Sequence, residues 1–493
     1  MAFRDGRSIP SDETLNADIC VIGAGAAGLT LALELNNLQL SVAVLESGGF
    51  ESEANTQALY EGTTLGQPYK SLDSCRTRFF GGSTNCWNGF SGRLSAIDFA
   101  ERHWIPQSGW PFDETEIDPY YTRAEQVCQL PPRVDQTTWS AESEQQSLPF
   151  DSRRVVTKLF HRKPTRFGKV YREEMAQSKN VEVLLHSNAV SVEVGRTTLQ
   201  VDRIRAATLE GNKFSVKAKF YVLATGGIEN ARLLLNSDEQ VRGGLGNGHD
   251  LVGRYFMEHP HVFMSDCLLL SDHTQSIEFY RGERLVHGCI ALSERSMEKK
   301  EVASFGAWIF PTPPERAQLT PWRALSEAVA AMDARSHARN AMPRLASLFC
   351  QAEQTPNRDS RITLSPDLDA LGLRKAVLDW RMNDYDLWSL RRSLEIVGEE
   401  LAYARLGRLR GEAPVRSTEW PQGFSIANHH MGTTRMHSDP TLGVVDNNCR
   451  VHGVANLFVA GSSVFPTGGA VNPTLTIVAL AIRLADHLKG ERR

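Results

Sequence analysis

The sequence predicts an α/β protein with a parallel sheet near its start and a second, largely antiparallel domain later in the chain. Two short apolar runs rich in β-branched residues, Ala17–Ile22 and Ser41–Leu45, flank a helical stretch at Leu29–Asn37. Such a strand–helix–strand unit with short connections makes its two strands parallel. After Pro260 the pattern changes to extended, alternating segments. These segments place the second domain at about 266–420.

Several further elements follow from the apolar pattern. Residues 60–115 are rich in Gly, Ser, Asn and aromatic residues with few periodic runs, which is typical of long functional loops. The remaining predicted elements are strands at Val181–Val194, Thr198–Glu210, Lys219–Ala224 and Asn456–Ala460, a helix at about Arg323–Leu348, and a final helix at Pro473–Lys489.

Composition is that of a globular protein, and it excludes several classes. The chain has 493 residues, which suggests two domains or one elaborated domain. A net charge of -4 gives no general reason to expect nucleic acid or an anionic membrane as a partner. One basic stretch, Arg153–Arg172, is either a solvated face or an anion-binding patch.

Cysteine usage and the apolar runs predict the cellular setting. The 8 cysteines are scattered without a CxxC pair, which argues against a zinc site and against a disulfide framework. No apolar core of signal-peptide length precedes residue 17, and no apolar run is long enough to span a membrane. We therefore expect a cytoplasmic protein with reduced thiols, which could still dock on a membrane through a partner.

The loop between the first strand and the first helix carries the strongest local motif. Gly23, Gly25 and Gly28 form GxGxxG, and Glu46 ends the next strand. The first glycine permits a tight turn, the second lets the backbone approach a pyrophosphate, and the third lets helix and strand pack closely. The helix N-terminus then faces the phosphates, while Glu46 accepts hydrogen bonds from ribose hydroxyls. This pattern suits FAD and NAD equally, and glycines that serve only a turn are the alternative.

Two segments near the C-terminus carry residues suited to cofactor binding or catalysis. Asn472 is a good N-cap and Pro473 suits the first turn of the final helix, whose positive end would stabilise a reduced flavin. The alternative is an ordinary capped helix. His429 and His430 lie in a polar loop before it, and imidazole is the usual acceptor of an alcohol proton near neutral pH. A structural histidine is the alternative there. No carboxylate or histidine cluster has metal-ligand spacing, so no metal is expected.

These segments together resemble the glucose-methanol-choline (GMC) oxidoreductase family, nearest to bacterial pyranose-oxidase-like members. Their joint order along most of the chain is what carries the resemblance. The matching segments are VIGAGAAGLTLALEL from Val21, FGGSTNCWN from Phe80, SGWP from Ser108 with PYY from Pro119, LATGGIENARLL from Leu223, HHMGTTRM from His429, NLFVAG from Asn456 and NPT from Asn472.

The resemblance implies a discontinuous Rossmann-like FAD-binding domain with an inserted antiparallel substrate domain. The FAD domain would comprise 1–265, with a flavin-covering loop at about 75–115, and 421–493, and the substrate domain 266–420. The family's catalytic histidine precedes the glycine of a Gly-Thr pair by three positions, which selects His429, and its second catalytic position falls on Asn472. The residues implied to bind FAD are Gly23, Gly25, Gly28, Glu46, Gly81, Gly82, Ser83, Asn85, Cys86, Val190, Ala224, Gly461, Pro473 and Thr474.

The implied reaction is oxidation of an alcohol CH–OH group, first of all in a sugar or glycoside. His429 would accept the hydroxyl proton, flavin N5 the hydride, and Asn472 would hold the alkoxide oxygen. Oxygen, a quinone or a redox protein would reoxidise the flavin. The family also contains non-redox lyases and a decarboxylase, and a non-catalytic FAD-binding scaffold is a third class. The His429–Asn472 pair favours oxidation over both.

The mode of FAD attachment follows from one departure from the pyranose-oxidase-like pattern. Several such members carry a flavin-linking histidine in the loop where this sequence has Cys86. We therefore expect non-covalent FAD. A cysteinyl link is the alternative, and a plain packing role is the default for a free cysteine.

Overall fold

The structure is a computed structural model that describes residues 2–131, 147–195, 200–269, 285–311, 344–409, 420 and 424–491. The strands in chain order are β1 Phe3–Asp5, β2 Thr14–Asn16, β3 Ile19–Ile22, β4 Val42–Leu45, β5 Gly62–Gly66, β6 Phe90–Ser91, β7 Val155–Arg162, β8 Val181–Leu185, β9 Asn188–Val194, β10 Val201–Ala207, β11 Lys213–Lys217, β12 Phe220–Leu223, β13 Pro260–Leu269, β14 Val286–Leu292, β15 Phe305–Pro311, β16 Arg344–Ala352, β17 Arg361–Leu368, β18 Arg374–Trp380, β19 Gly407–Leu409, β20 Phe424–Ile426 and β21 Leu457–Val459.

The described residues also form ten α-helices. The α-helices in chain order are α1 Ala26–Leu35, α2 Ala54–Ala58, α3 Ala96–Phe99, α4 Glu114–Val127, α5 Phe167–Val170, α6 Arg172–Gln177, α7 Gly226–Asn236, α8 Glu294–Lys300, α9 Asp384–Tyr403 and α10 Thr474–Gly490. No helix among the described residues is long and apolar enough to cross a membrane.

A six-stranded parallel sheet forms the centre of the fold, with strand order β1-β8-β4-β3-β12-β21. The strands β3 and β4 are buried along their whole length, as their continuous apolar runs predict for a sheet covered on both faces. The α/β class with a Rossmann-like parallel sheet and an antiparallel sheet is thus confirmed. The edge strand β1 is not predictable from Phe-Arg-Asp, because three residues give no periodic signal.

A smaller four-stranded sheet has the order β2-β11-β10-β9. Along the chain, its strands lie between strands of the parallel sheet. The predicted strand Val181–Val194 is divided here into β8, in the parallel sheet, and β9, in the small sheet. The chain turns between them at His186, whose φ of 53° no extended strand can accommodate.

An eight-stranded sheet has the path β19-β13-β16-β15-β14-β7-β6, and β20 also pairs with β13. Its pairs are antiparallel, with His261 opposite Gln351 and Trp308 opposite Phe349. Two of its strands, β6 and β7, precede residue 265 in the chain, so sheet membership does not follow the predicted boundaries at 266 and 420. Those boundaries stay a prediction.

One predicted helix is wrong over its last residues. Arg344–Ala352 is strand β16, so the end of the predicted helix Arg323–Leu348 is extended; its earlier part lies outside the described residues. Residues 346, 348, 350 and 352 of this strand are buried hydrophobics while 351 is polar. Burial of every second residue is the pattern of a β-strand. Hydrogen-bonded pairing with β13 and β15 holds the segment in this extended conformation.

Candidate active site

A cleft of about 440 Å³ opens where the parallel sheet meets the antiparallel one. Its floor is formed by the residues that follow three neighbouring parallel strands, namely Gly23 after β3, Ala224 after β12 and Gly461 after β21. Strand order reverses between β3 and β12, since α1 leads to β4 on one side while β12 and β21 lie on the other. Ligands of open α/β sheets bind in such a crevice at the carboxyl ends of the strands.

The N-terminus of α1 points into this cleft and bears no side-chain cap. Gly25 is the N-cap residue, and no side chain accepts a hydrogen bond from the first turn. The free amides make this terminus suited to a pyrophosphate. Gly28 lies behind the cleft, where a Cβ would stand 1.8 Å from the Gly23 carbonyl oxygen. The close approach of α1 to β3 therefore requires glycine at this position.

Glu46 lies in the cleft wall beside the α1 terminus. Its Oε2 accepts from the amide of Ala24 at 2.9 Å, and its Oε1 accepts from the amide of Gly48 at 3.0 Å. Burial raises the pKa of this carboxyl, and the two backbone hydrogen bonds counteract that rise. The predicted contact to a ribose stays a prediction, and the carboxylate also ties the glycine loop to the end of β4.

The glycine-serine loop covers the cleft from a second side as a short 3-10 helix at Gly82–Asn85. Gly82, Ser83 and Cys86 line the cleft. Gly81 and Asn85 lie behind it: Gly81 packs on Gly168, and the Asn85 amide donates to the Phe80 carbonyl at 2.9 Å.

Cys86 is exposed and lines the cleft, whereas Val190 does not line it. The Cys86 thiol donates to the Ser83 carbonyl at 3.4 Å, and partial burial raises the pKa of this thiol. Near Val190, the residues Asn188 and Ala189 line the cleft, and β9 has a register irregularity at this point. The predicted contact of Val190 with FAD stays a prediction.

His429 and Asn472, separated by 43 positions in the chain, meet in the cleft. The Asn472 side-chain amide donates to His429 Nε2 at 3.2 Å. The predicted N-cap role of Asn472 is corrected, because this side chain is turned to the histidine and no side-chain cap is formed at α10. Pro473, with helical dihedrals of φ -73° and ψ -17°, and Thr474 bring the start of α10 into the cleft wall.

A second histidine, His259, fixes the tautomer of His429. Its Nε2 lies 2.9 Å from the Gly469 carbonyl oxygen, which can only accept, so Nε2 carries the hydrogen. Its Nδ1 therefore has a lone pair and accepts from His429 Nδ1 at 2.8 Å. Burial lowers the pKa of His259 to about 3 and that of His429 well below its ordinary value, so both rings are neutral at pH 7. His429 thus keeps its lone pair on Nε2, the atom beside Asn472.

His430 also lines the cleft, but its ring packs against other side chains. Its ring lies between Tyr69 and Phe256, at centroid distances of 6.2 and 5.9 Å, and burial lowers its pKa to about 3. Its Nε2 is enclosed without a hydrogen-bond partner among the described residues. This environment is that of a packing histidine.

The antiparallel sheet supplies the wall opposite the parallel sheet. Trp308, Phe310 and Phe349 make it aromatic, and Gln351 and His261 add polar groups. The Gln351 amide donates to the Ala470 carbonyl at 3.1 Å, and its oxygen accepts from His261 Nε2 at 2.8 Å. These residues and His259 were not predicted. The polar run Glu258–His261 after a buried segment is the one signal that could have found part of them.

Metal ligands are lacking in this cleft and elsewhere in the described ranges. No group of three or more His, Cys, Asp or Glu side chains is arranged there to hold a metal ion.

Two family models match the chain over separate regions. Residues 18–245 match the model described as FAD dependent oxidoreductase, and residues 356–481 match the one described as GMC oxidoreductase. The first region holds the glycine loop, Glu46 and Ala224, and the second holds His429 and Asn472.

Curated relatives extend over nearly the whole chain. The fructose dehydrogenase large subunit of Gluconobacter japonicus is 25% identical over 98% of this chain and 99% of its own length. The 6'''-hydroxyparomomycin C oxidase of Streptomyces lividus is 27% identical over 100% of this chain and 95% of its own. A C-glycoside 3-oxidase of Microbacterium trichothecenolyticum is 35% identical over 29% of this chain and 27% of its own.

Solved structures agree in fold. Pyridoxine 4-oxidase from Mesorbium loti superimposes with a TM-score of 0.56 at 18% identity, over 96% of this chain and 99% of the other. A formate oxidase variant of Aspergillus oryzae RIB40 gives a TM-score of 0.55 at 15% identity, over 99% of both chains. The two matched family models place their residues around one cleft, and the curated relatives and solved structures agree with them. The protein is therefore an FAD-dependent member of the GMC oxidoreductase family.

Proposed function

We propose that this FAD-dependent oxidoreductase oxidises a CH–OH group of a sugar or glycoside, with His429 as the base and Asn472 as its partner. The observation that carries the proposal is the neutral His429 ring, whose Nε2 lone pair stands beside the Asn472 amide at 3.2 Å in the cleft. A base must be unprotonated and within reach of the proton that it accepts. The neutral state of the ring meets the first condition, and the place of His429 in the cleft lining supports the second.

The cleft fits FAD in its geometry and its donors. The uncapped α1 terminus would hold the pyrophosphate, Glu46 the adenosine ribose, and the start of α10 the pyrimidine edge of the flavin ring. When bound, FAD supplies the acceptor for the hydride of the carbinol carbon. The protein's own groups supply position, proton transfer and charge stabilisation.

Proton transfer follows from the hydrogen-bond order. His429 Nε2 accepts the substrate hydroxyl proton, while the Asn472 amide donates to the oxygen on which negative charge develops. The protonated ring keeps its Nδ1 hydrogen bond to His259, whose own hydrogen is held by the Gly469 carbonyl. The accepted proton therefore stays on His429 until it leaves through the cleft.

The aromatic wall supports a sugar or glycoside as the substrate class. The faces of a sugar ring carry C–H groups that pack on side chains such as Trp308, Phe310 and Phe349. Relatives named fructose dehydrogenase, 6'''-hydroxyparomomycin C oxidase and C-glycoside 3-oxidase act on molecules of this class, which supports the same choice here.

An anaerobic screen tests the proposal. Sugars, glycosides and simple alcohols are mixed with the purified protein, and flavin reduction is followed as the loss of its visible absorbance. We expect bleaching by at least one sugar or glycoside and at most slow bleaching by small alcohols. Bleaching by small alcohols alone would contradict the substrate class, whereas no bleaching by any CH–OH donor would contradict the reaction. Adding oxygen, a quinone or a redox protein to the bleached protein then identifies the acceptor.

Non-covalent attachment of FAD is part of the same proposal. A thiol whose pKa is raised, as that of Cys86 is, is a weak nucleophile at neutral pH. Acid precipitation should therefore release all flavin into the supernatant. Yellow colour that stays with the precipitate in the parent but not in Cys86→Ser would contradict this and locate the link.

A further inference from the structure

Glu258 is the carboxylate beneath the catalytic loop, and each of its oxygens has two donors. It is completely buried. Its Oε2 accepts from the Tyr69 hydroxyl at 3.0 Å and from the amide of Asn428 at 2.7 Å. Its Oε1 accepts from the amide of His259 at 3.1 Å and, closer still, from the amide of His429. One side chain thus holds the backbone of His259 and of His429.

The four donors determine the charge of this side chain. A carboxyl group that kept its proton would need an acceptor, and three of the four partners are backbone amides that only donate. Burial raises the pKa of Glu258 and the four hydrogen bonds offset part of that rise, so that the pKa comes to about 7 and the ionised form prevails above that pH. The other titratable groups that face it are Tyr69, Cys75, His259 and His429. The buried Arg76 acts on Tyr69 and Cys75 as well, but its guanidinium is paired with Glu229 at 3.0 Å.

A buried carboxylate without an ion pair carries a desolvation cost, which hydrogen bonds to its charged form offset. The positive charge that the proposed reaction creates is the imidazolium of His429, formed when Nε2 takes the substrate proton. A negative charge in its surroundings favours the charged form of an imidazole. The Glu258 carboxylate accepts from the backbone amide of His429, so it belongs to the surroundings of the residue that becomes positive.

We propose that Glu258 is a positioning residue that anchors the catalytic loop as an ionised carboxylate and stabilises the imidazolium formed at His429. This inference rests on the proposed function, since it requires His429 to be the base. Two residues would thus prepare His429 for its role. His259 sets the tautomer of its ring, and Glu258 holds its backbone and supplies a negative charge near it.

Two substitutions at the same position separate charge from shape. Glu258→Gln keeps the size of the side chain and removes its charge, whereas Glu258→Asp keeps the charge and shortens the side chain. Flavin reduction at saturating substrate should slow by at least about tenfold in Glu258→Gln and by only a few fold in Glu258→Asp. FAD content and Tm are measured alongside. Parent rates in Glu258→Gln, or slowing in Glu258→Asp equal to that in Glu258→Gln, would overturn the proposal.

Tyr69→Phe gives an independent test that needs no change at Glu258. Losing one donor to the ionised form raises the pKa of the carboxyl. The ionised form is present above that pKa and is lost as the pH falls through it, so the acid limb of the flavin-reduction profile should move to higher pH in Tyr69→Phe. An unchanged profile would overturn the proposal, because a purely structural contact would not shift it.

Failure of this inference and failure of the proposed function give different results. If His429→Ala reduces flavin at the parent rate, the base assignment is wrong. If His429→Ala is slow while the Glu258 and Tyr69 variants behave as the parent does, the base is correct and the role of Glu258 is not.

Discussion

The chemical state of His429 is set by single atoms of its neighbours. A carbonyl oxygen at Gly469 determines where His259 carries its hydrogen, and this in turn determines which nitrogen of His429 is free. The assignment needs no hydrogen positions, because a carbonyl can only accept. A base prepared in this way does not have to rearrange its hydrogen before the reaction.

His259→Ala tests this relay. The fold and the FAD cleft should survive, since His259 does not line the cleft. Without its partner, the His429 ring loses its fixed orientation and tautomer, and flavin reduction by substrate should slow by about 10–100-fold, within the usual contribution of a positioned base. Stopped-flow absorbance measures the rate. A parent-like rate with normal FAD content would show that the histidine pair is not needed.

Glu46→Ala tests the nucleotide end of the cleft. The substitution removes the acceptor for the ribose and frees the Ala24 and Gly48 amides that the carboxylate holds. FAD binding should weaken by about 1–3 kcal/mol, because charged hydrogen bonds are lost. Titration of the apoprotein with FAD measures this. Glu46→Gln, which retains an acceptor, is the matched control and should lose less; equal affinity of Glu46→Ala and parent would refute the placement.

At the level of elements, the ends of strands and helices do most to build the site. The N-termini of α1 and α10 both face the cleft, the first where we propose the pyrophosphate and the second where we propose the flavin ring. Neither terminus has a side-chain cap, so the backbone amides of both remain available to a ligand. The first turns of α1 and α10 therefore supply much of the polar backbone of the cleft.

Asn472→Ala distinguishes a catalytic contact from a helix cap. The Asn472 side chain bonds to His429 rather than to the first turn of α10. The free energy of unfolding should therefore fall by less than about 1 kcal/mol, the usual cost of losing a cap. Flavin reduction should nevertheless slow by about tenfold or more, since the donor to the developing alkoxide is lost. A large fall in Tm with an unchanged rate would restore the capping interpretation.

The features of the site that could be predicted from the sequence are those that a short local motif determines. GxGxxG between a strand and a helix has one useful geometry, so the loop from Gly23 and the position of Glu46 follow from the residues themselves. His259 and Gln351 could not be found in this way. His259 meets His429 across 170 positions because β13, which follows His259, pairs with β20, which precedes His429. Gln351 is placed by the register of β16 on β13, opposite His261. No local pattern encodes that register.

At the scale of the whole molecule, the cleft lies between two sheets. The parallel sheet contributes strand ends and helix termini to it, and the antiparallel sheet contributes side chains. His429 follows β20, which pairs with the antiparallel strand β13, whereas Asn472 leads into α10, which packs on α1. The proposed catalytic pair, His429 and Asn472, therefore joins the two halves of the fold.

Anaerobic flavin reduction by the best substrate of the screen, compared in His429→Ala, His430→Ala and the parent, tests the central claim most directly. His429→Ala should bind FAD normally and slow reduction by about 10²–10⁴-fold, the contribution of a positioned base. His430→Ala should remain within a few fold of the parent, because its ring packs between Tyr69 and Phe256. A severe loss in His430→Ala with an active His429→Ala, or parent rates in both, would contradict the assignment of His429 as the base.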